Sequence, residues 1–374
     1  MDVPPLAGYT IGVTAARRAD ELGALLERRG ATVHYGPAIR IVPVEDDTRL
    51  RSATQSLLDG PVDVAVATTG IGFRGWVEAA EGWGLGDALR TRLGGARVLA
   101  RGPKAKGAVR AAGLVEHWSP QSEASAELLE YLLESGVRGK RIAVQLHGEP
   151  LPEFVDTLRG NGADVVEISV YRWTGPADPT SLERMLDGVL AGQVDALSFT
   201  SAPAAASVLR AAERGGRLDE LVALLRGKVL VACVGPITAG PLSRKGIPVI
   251  QPERARIGSL VRELCVALPA RATRLRVGPA ELELRGQAVV VNGDLRPVPP
   301  APMAVLRALA ATPGRVLSRR ALAGVLRRHS GRADTVDEHA VETAIGRLRA
   351  AVAVPHLVQT VVKRGYRLAI DHPG

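Results

Sequence analysis

The sequence predicts an α/β protein in which two doubly wound parallel-sheet domains precede a smaller α+β domain. Three observations support this fold class. Residues 1–266 contain an internal repeat, short apolar runs alternate there with amphipathic segments, and both the pattern and the charge change near Arg274. A chain of 374 residues is long enough for two or three domains with separate cores.

The composition favours an ordinary globular protein. Hydrophobic residues make up 46% and charged residues 23% of the chain, which is typical of soluble domains. The opening MDVPPLAG lacks the basic and apolar regions of a signal peptide, and no stretch approaches the ~20 apolar residues of a membrane span. Cys233 and Cys265 each stand alone in the sequence. We therefore expect a cytoplasmic protein with free thiols, without membrane contact, metal or other cofactor.

The repeat is visible in three pairs of segments. GYTIGVTAARRADELGALLERRGATV parallels GKRIAVQLHGEPLPEFVDTLRGNGADV at an offset of 131 residues, and VDVAVATTG from Val62 parallels VDALSFTSA from Val194 at an offset of 132. Gly102 and Gly235 occupy matching positions at an offset of 133. A drift of only two residues over this length indicates one duplicated segment.

Each repeat alternates predicted strands with predicted helices. TIGVT, VDVAVAT and RVLARG are the strands of the first repeat, with ADELGALLERRG and KAKGAVRAAG as helices, and RIAVQL, VDALSFT and VLVACVG are the strands of the second. Such apolar strands between amphipathic helices indicate parallel sheets that are covered on both faces. The β-rich segments AIRIVPV and VYRWTGP, flanked by Pro or Gly, are predicted to link the two domains.

Several loops that precede predicted helices are suited to binding anions. In open parallel sheets, ligands bind beyond the carboxyl ends of the strands, where small residues and hydroxyls leave backbone N–H groups available. For any single loop, helix capping is the better explanation, whereas the whole set converging on one cleft favours a ligand site. The candidate ligand-binding residues are Thr69, Gly70, Gly102, Ser122, Gly148, Thr200, Ser201, Gly235 and Thr238, together with the cationic Arg17, Arg101 and Lys104.

This part of the chain resembles uroporphyrinogen-III synthase. The helix that ends in RRGA, the P-x-I-x-I-x-P segment after it, and VYRW, FTSAPA and VGPITA further along carry the resemblance. It covers residues 6–266 and implies two flavodoxin-like domains joined by a two-stranded linker. Within a synthase-like region of residues 1–266, it implies one domain from residues 1–40 plus 171–266 and another from residues 41–170.

The resemblance also implies a ligand and a candidate catalytic residue. The substrate of the family is a linear tetrapyrrole with acetate and propionate arms, which suits a set of anion sites. Tyr171 matches the linker tyrosine of the family, a candidate proton donor to the departing hydroxyl, and the alternative is a strand residue packed beside Trp173. Thr238 matches the threonine of a GPxT loop, whereas Ala105 stands where the first such loop of the family usually has threonine.

The positive charge is concentrated near the end of the sequence. The net charge is +9, and residues 270–374 hold 17 Lys and Arg against 8 Asp and Glu, whereas residues 1–269 hold 31 of each. This asymmetry is typical of a nucleic-acid-binding domain attached to a neutral one.

The basic segment has its own pattern of strands and helices. ELELRGQAVVVNGDLRPV predicts short strands with a turn at GD, and two helices follow, the second of which begins at Ser318. TVDEHAVETAIGRLRAAVAV predicts a third helix, and LVQTVVKRGYRLAI predicts a closing hairpin.

The basic segment resembles the winged-helix effector domain of the OmpR/PhoB class of response regulators. PGRVLSRRAL, AVETAIGRLRA and LVQTVVKRGYRL match in order and spacing, within a domain of residues 274–374 that follows a linker at residues 267–273. The resemblance implies that the third helix enters the major groove of double-stranded DNA and that the hairpin forms a wing. The alternative is a basic winged helix that binds protein. The implied DNA-binding residues are Arg319, Arg320, Arg327, Arg328, Arg332, Thr343, Arg347, Arg349, Lys363 and Arg364.

Taken together, these features predict a transcription regulator whose neutral region senses an anionic small molecule. The resemblance implies that this ligand is a tetrapyrrole. The architecture resembles actinobacterial regulators of nitrate and nitrite assimilation. Two alternatives stay open: an active uroporphyrinogen-III synthase that also binds DNA, and a protein-binding adaptor with neither activity. Winged helices of this class bind as pairs on repeated half-sites, so we expect a homo-oligomer.

Overall fold

The computed structural model describes residues 3–43, 47–146, 148, 151–176, 178–330 and 337–369. The chain forms two compact units. The first unit combines residues 1–39 with residues 175–374, and the second unit contains residues 40–174. Across the described ranges, no helix is both long enough and apolar enough to cross a bilayer.

The described ranges contain sixteen strands and fifteen helices. The strands are β1 (Thr10–Val13), β2 (Thr32–Tyr35), β3 (Arg40–Pro43), β4 (Val64–Ala67), β5 (Arg97–Ala100), β6 (Arg141–Gln145), β7 (Asp164–Ile168), β8 (Tyr171–Thr174), β9 (Ala196–Phe199), β10 (Leu230–Cys233), β11 (Thr273–Val277), β12 (Ala280–Arg285), β13 (Ala288–Val291), β14 (Asp294–Pro297), β15 (Val358–Val361) and β16 (Gly365–Leu368). The helices are α1 (Ala19–Glu27), α2 (Asp47–Leu58), α3 (Gly70–Gly82), α4 (Gly86–Gly94), α5 (Pro103–Ala111), α6 (Ser125–Glu134), α7 (Pro152–Gly160), α8 (Pro179–Leu190), α9 (Ala202–Arg214), α10 (Leu218–Gly227), α11 (Pro236–Ser243), α12 (Ile257–Ala270), α13 (Pro300–Ala310), α14 (Arg319–Ser330) and α15 (Glu338–Val352).

The first unit contains a four-stranded parallel sheet in the order β10-β9-β1-β2. Its inner strands are buried because helices cover both faces of the sheet, and β9 and β10 are buried along their whole length. Ile11 of β1 lies opposite Val33 of β2 and Ala196 of β9. The core against α1 and α12 contains Leu22 and Leu260.

The second unit contains a four-stranded parallel sheet in the order β5-β4-β6-β7. This order matches that of the first unit, because β4, β5 and β6 are the repeat counterparts of β9, β10 and β1. Each unit therefore contains strands from both repeats. The predicted fold class, with doubly wound parallel sheets and a further α+β domain, is confirmed.

The two segments predicted to link the domains pair with each other in the second unit. β3 and β8 are antiparallel, with Arg40 opposite Thr174 and Pro43 opposite Tyr171. Tyr171 is thereby fixed at the first position of β8, and its side chain is buried.

The C-terminal part of the first unit is a winged helix. An antiparallel sheet β11-β12-β13-β14 precedes three helices and the β15–β16 hairpin, and Leu317 pairs with Tyr366 of that hairpin. The Ser318 hydroxyl accepts a hydrogen bond of 3.1 Å from Ala321 N–H, so the predicted start of α14 is confirmed. The turn between β13 and β14 is formed by Asn292 and Gly293, which both have positive φ values (51° and 89°). Positive φ at both central residues is typical of a two-residue hairpin turn, so the turn lies one residue before the predicted GD turn.

The connection to the winged helix is short. α12 continues to Ala270 and β11 begins at Thr273, so only residues 271–272 separate them. Most of the segment predicted as a linker, residues 267–273, therefore lies in regular secondary structure.

Candidate functional site

The third helix of the winged-helix domain, α15, presents an open polar face. Asp337 caps it by accepting a hydrogen bond of 2.8 Å from Ala340 N–H. Its apolar stripe, which includes Val341 and Leu348, is buried in the core of the domain. Thr343 and Arg347 are exposed on the opposite side. This is the arrangement that reading base edges in a major groove requires.

The wing ends in a basic tip. Lys363 occupies a left-handed backbone conformation (φ 59°) at the turn between β15 and β16, and Lys363 and Arg364 are both exposed. Val362 beside them is 79% exposed. The turn therefore projects two cations past the end of the hairpin, where a phosphate backbone would meet them.

Two of the arginines predicted to bind DNA are engaged within the domain. Arg349 donates hydrogen bonds to the Val358 carbonyl (2.8 Å) and to Thr360 Oγ1 (3.0 Å), which join α15 to the wing. Arg319 Nε lies 3.3 Å from Glu342 Oε1, and its guanidinium lies 5.4 Å from the centre of the Tyr366 ring. Both side chains therefore stabilise the arrangement of α15 and the wing. That Arg319 and Arg349 also contact DNA stays a prediction.

The remaining predicted cations lie on or near α14. Arg320, Arg327 and Arg328 are exposed on this helix, whereas Arg332 lies outside the described residues. His339 was not predicted, yet it is exposed one helical turn before Thr343. The spacing of four residues was the signal that could have revealed it.

The candidate ligand residues of the second unit meet around Tyr171. Its hydroxyl lies 3.0 Å from Thr69 Oγ1. Thr69 is the N-cap of α3 and accepts a hydrogen bond of 3.2 Å from Gly72 N–H, while Gly70 is the first residue of that helix. Gly148 has φ 90°, and an added Cβ would lie 2.7 Å from the Tyr171 ring, so only glycine allows this approach. The structure brings Thr69, Gly148 and Tyr171 together.

Gln145 supports this group and was missed in the sequence. Its side chain is fully buried, and Oε1 accepts hydrogen bonds from the backbone N–H groups of Thr68 (3.2 Å) and Thr69 (3.0 Å). The amide therefore fixes the loop that carries the Thr69 hydroxyl. The available signal was a single polar residue at the end of the apolar strand RIAVQ.

Replacing Gln145 with Leu is expected to lower the free energy of unfolding by about 2–3 kcal/mol, because the buried Thr68 N–H and the partly buried Thr69 N–H lose their acceptor. Urea unfolding measures the change. Gln55→Leu, on the exposed face of α2, is the control and should stay within about 0.5 kcal/mol of the unmodified protein. Equal effects of the two substitutions would contradict the assigned role of Gln145.

The second unit also holds a half-buried cation, Arg101, which is close enough to Tyr171 to interact with it electrostatically. Arg101 Nη1 is 3.4 Å from Ser125 Oγ at the start of α6. Burial lowers the pKa of the Arg101 guanidinium, and the nearby Tyr171 and Glu123 act in the opposite direction. Gly102 caps α5, and an added Cβ would lie 2.9 Å from Glu123 Oε2. A desolvated guanidinium next to hydroxyls suits an anionic group.

Two predicted residues of this unit lie at its surface. Lys104 is exposed on the first turn of α5. Ser122 is exposed, and its hydroxyl and N–H are both hydrogen-bonded to the Glu127 carboxylate. Ser122 therefore supports the start of α6.

The candidate residues of the first unit lie at the carboxyl ends of its strands. Ser201 caps α9 and accepts a hydrogen bond of 3.4 Å from Ala204 N–H, and it is the repeat counterpart of Thr69. Thr200 precedes it and is half-buried. Gly235 caps α11, in which Thr238 is buried, and Arg17 is exposed after β1.

A family model described as uroporphyrinogen-III synthase HemD matches residues 20–262. The chain belongs to the uroporphyrinogen-III synthase family. The resemblance read from the sequence is confirmed, and residues 20–262 can be called the synthase-family region.

Two further proteins are similar to this chain over about two thirds of its length. The chain is 30% identical to a mutant uroporphyrinogen III synthase from the extremely thermophilic bacterium Thermus thermophilus whose crystal structure is known, with a TM-score of 0.59 and coverage of 68% of this chain and 97% of that one. It is 28% identical over 260 residues to a Bacillus subtilis (strain 168) protein named uncharacterized protein YjjA, covering 69% of this chain and 96% of that protein.

A third relative covers less of either chain. The putative uroporphyrinogen-III synthase of Methanothermobacter thermautotrophicus is 31% identical over 149 residues, which are 40% of this chain and 58% of that protein.

A second family model, described as transcriptional regulatory protein, C terminal, matches residues 296–368. The matched range contains α13, α14, α15 and the wing. The chain therefore joins a synthase-family region to a double-stranded-DNA-binding domain of the transcriptional-regulator type.

Proposed function

We propose that this transcriptional regulator senses an anionic small molecule through its synthase-family region, and that the molecule is a tetrapyrrole with carboxylate arms. The observation that supports this most directly is the half-buried Arg101 guanidinium, whose pKa is lowered by burial, in the unit where Tyr171 meets Thr69. A guanidinium removed from water gains from a carboxylate partner, which would replace the lost hydration.

The guanidinium of the proposed anion site has no counterpart in the first unit. Arg101 corresponds in the repeat to Val234, and Gln145 corresponds to Thr14. Since the first unit has an apolar residue where the second has a guanidinium, the two units offer different chemistry at equivalent positions. One carboxylate group bound at Arg101 is therefore the minimum that the proposal requires.

One contact favours a second function, which is the cyclisation of hydroxymethylbilane, the linear tetrapyrrole substrate of the synthase family. Tyr171 is buried and its hydroxyl lies 3.0 Å from Thr69 Oγ1, an arrangement in which Tyr171 would donate a proton while Thr69 holds its hydroxyl. Positioning and anion binding would supply the rest of the catalysis. This would make the chain a synthase that also binds DNA.

Two measurements test these functions. The purified chain is given freshly generated hydroxymethylbilane, and separately titrated with uroporphyrinogen III while its intrinsic tryptophan fluorescence is recorded. Binding without turnover supports the sensor, and type III product at enzyme-like rates supports the synthase. If the chain neither binds uroporphyrinogen III nor forms type III product, the tetrapyrrole proposal is contradicted.

Substitution of Arg101 tests where the ligand binds. Arg101→Met keeps an apolar stem but removes the cation, so affinity for uroporphyrinogen III is expected to fall by roughly tenfold or more, as loss of a charge-assisted hydrogen bond of about 1.5–3 kcal/mol implies. Arg138→Met, which removes an exposed cation that precedes β6 in the same unit and is not a candidate ligand residue, is the control. Unchanged affinity in Arg101→Met would contradict the proposed site.

We also propose that the protein acts as a homo-oligomer, and that it serves nitrate or nitrite assimilation. The first proposal rests on the paired binding of this class of winged helix to repeated half-sites. The second rests on the resemblance to actinobacterial regulators and on chemistry, because assimilatory nitrite reductase uses sirohaem, which derives from uroporphyrinogen III. Light scattering of the chain with and without operator DNA tests the first.

A further inference from the structure

The repeat places an aspartate at the same position in both parallel sheets. Asp63 precedes β4 and Asp195 precedes β9, at the offset of 132 residues. Each carboxylate accepts a hydrogen bond from the first residue of the neighbouring strand, Arg141 N–H at 2.7 Å and Thr10 N–H at 2.8 Å. The aspartates therefore share one structural task, which is to join the amino ends of two parallel strands.

Asp195 has a second partner, which belongs to the winged helix. Its Oδ1 lies 3.5 Å from Arg307 Nη2, and the Asp195 side chain is only 14% exposed. Arg307 also donates hydrogen bonds to the Gly286 carbonyl (2.5 Å) and the Gly192 carbonyl (3.4 Å). Burial raises the pKa of Asp195 to about 6, and Thr10 N–H and Arg307 act in the opposite direction by less. Asp63, by contrast, is exposed.

The turn between β12 and β13 fits closely against the same edge of the sheet. Gln287 N–H donates a hydrogen bond of 2.7 Å to the Gly8 carbonyl. An added Cβ on Gly286 would lie 2.2 Å from the Gly8 carbonyl oxygen and 2.4 Å from Asp195 Oδ2. Arg285 Nη1 donates a hydrogen bond of 3.1 Å to the Pro4 carbonyl. The contact therefore involves backbone on both sides and leaves no room for a side chain at Gly286.

We infer that Gly8, Thr10, Asp195, Gly286 and Arg307 form an interdomain joint that fixes the winged-helix domain to the parallel sheet of the first unit. The DNA-binding domain is thus part of one rigid body with this sheet, and is not a module on a flexible tether. Two observations agree with this: only residues 271–272 separate α12 from β11, and the two parts fall into one compact unit.

The joint lies at one end of a strand whose other end carries candidate ligand residues. β9 runs from Ala196, next to Asp195, to Phe199, which precedes Thr200 and Ser201. Four residues of parallel strand span about 13 Å. A ligand that displaces the Thr200–Ser201 loop would move the same strand that holds the joint; this consequence rests on the proposed function, whereas the joint itself does not.

The joint also leaves the DNA-binding face open. It uses the β12–β13 turn and α13, whereas Thr343, Arg347, Lys363 and Arg364 are exposed on α15 and the wing. Docking therefore sets the orientation of the DNA-binding face without covering it.

Gly286→Ala tests the joint in the 374-residue chain, because the added methyl group would push the β12–β13 turn away from the parallel sheet. Gly286 does not have a positive φ, so the substitution strains no backbone and acts through the clash with Gly8 and Asp195. Hydrogen exchange is expected to become about tenfold faster or more at the amides of Gln287 and Thr10, as for a local opening. Trypsin is expected to cleave faster after Arg271. The Arg141 amide, bonded to Asp63, serves as the internal reference and should not change.

Gly258→Ala is the matched control, because an added Cβ there meets nothing within 4 Å. If Gly286→Ala does not fold, Arg307→Met gives a milder test, with Arg307→Lys expected to restore part of the protection and the exposed Arg210→Met as its control. Unchanged exchange at Gln287 and Thr10 in Gly286→Ala or Arg307→Met would overturn the joint. Binding of uroporphyrinogen III to the unmodified chain is measured separately, so failure to bind it would count against the proposed function alone.

Discussion

Replacing Arg347 with Ala is expected to weaken binding to a specific operator by about 1–3 kcal/mol while the protein stays folded. The side chain is exposed on α15, one turn after Thr343, and carries no structural hydrogen bond like those of Arg349 among the described residues. A guanidinium on this face can form two hydrogen bonds to guanine, so its loss removes discrimination between bases. Fluorescence anisotropy with an operator obtained by in vitro selection measures the change.

Arg364→Ala at the wing is the comparison for Arg347→Ala. Arg364 is exposed next to Lys363, where phosphate contacts are expected, so its loss should weaken binding to operator and random DNA alike. The slope of log affinity against log salt should also decrease by about 1. If Arg347→Ala lowers the affinity for operator and random DNA equally, Arg347 binds phosphate and does not read a base.

Replacing Gly365 with Ala is expected to lower the free energy of unfolding of the winged-helix domain by about 2–4 kcal/mol and to abolish DNA binding. Gly365 has φ 132°, a conformation that residues with a side chain rarely adopt, and an added Cβ would lie 2.0 Å from the Leu317 carbonyl oxygen. The clash would separate the wing from Leu317, which exchanges two backbone hydrogen bonds with Tyr366. Thermal unfolding and a DNA shift assay measure the two effects.

Gly324→Ala is the control for Gly365→Ala in the same domain. Gly324 lies inside α14, and an added Cβ would approach only the end of the Arg328 side chain, at 3.6 Å. Since alanine favours a helix over glycine, this substitution should stabilise the domain by up to about 1 kcal/mol. A Gly365→Ala variant with unchanged stability and DNA affinity would show that the wing does not need this close contact.

Local pattern was enough to predict helix α15, and the resemblance implied its role as the recognition helix. The apolar residues of α15 recur at helical spacing, so the positions of Thr343 and Arg347 on the opposite face could be read directly from the sequence. The same reasoning placed the N-cap at Ser318. It did not separate Arg347 from Arg319 and Arg349, because their partners Glu342 and Thr360 lie 23 and 11 residues away and meet them only in the folded domain.

The candidate ligand site was predicted only in part, because some of its contacts also form only in the folded chain. Loops with hydroxyls and glycines identified Thr69 and Gly148, and the resemblance identified Tyr171. Gln145 was missed because its task appears only when β6 lies beside β4 and brings its amide to Thr68 and Thr69, 77 and 76 residues away in sequence.

The sequence by itself determined the repeat, the parallel sheets, the basic winged helix and the family of each part, because these depend on periodicity, composition and motif order along the chain. The tertiary structure decided which side chains meet across long separations. The clearest case is Asp195, which looks like one of two equivalent repeat positions until the fold brings Arg307, 112 residues further along, against it. Such a contact depends on how separate elements pack, and no local pattern of residues encodes it.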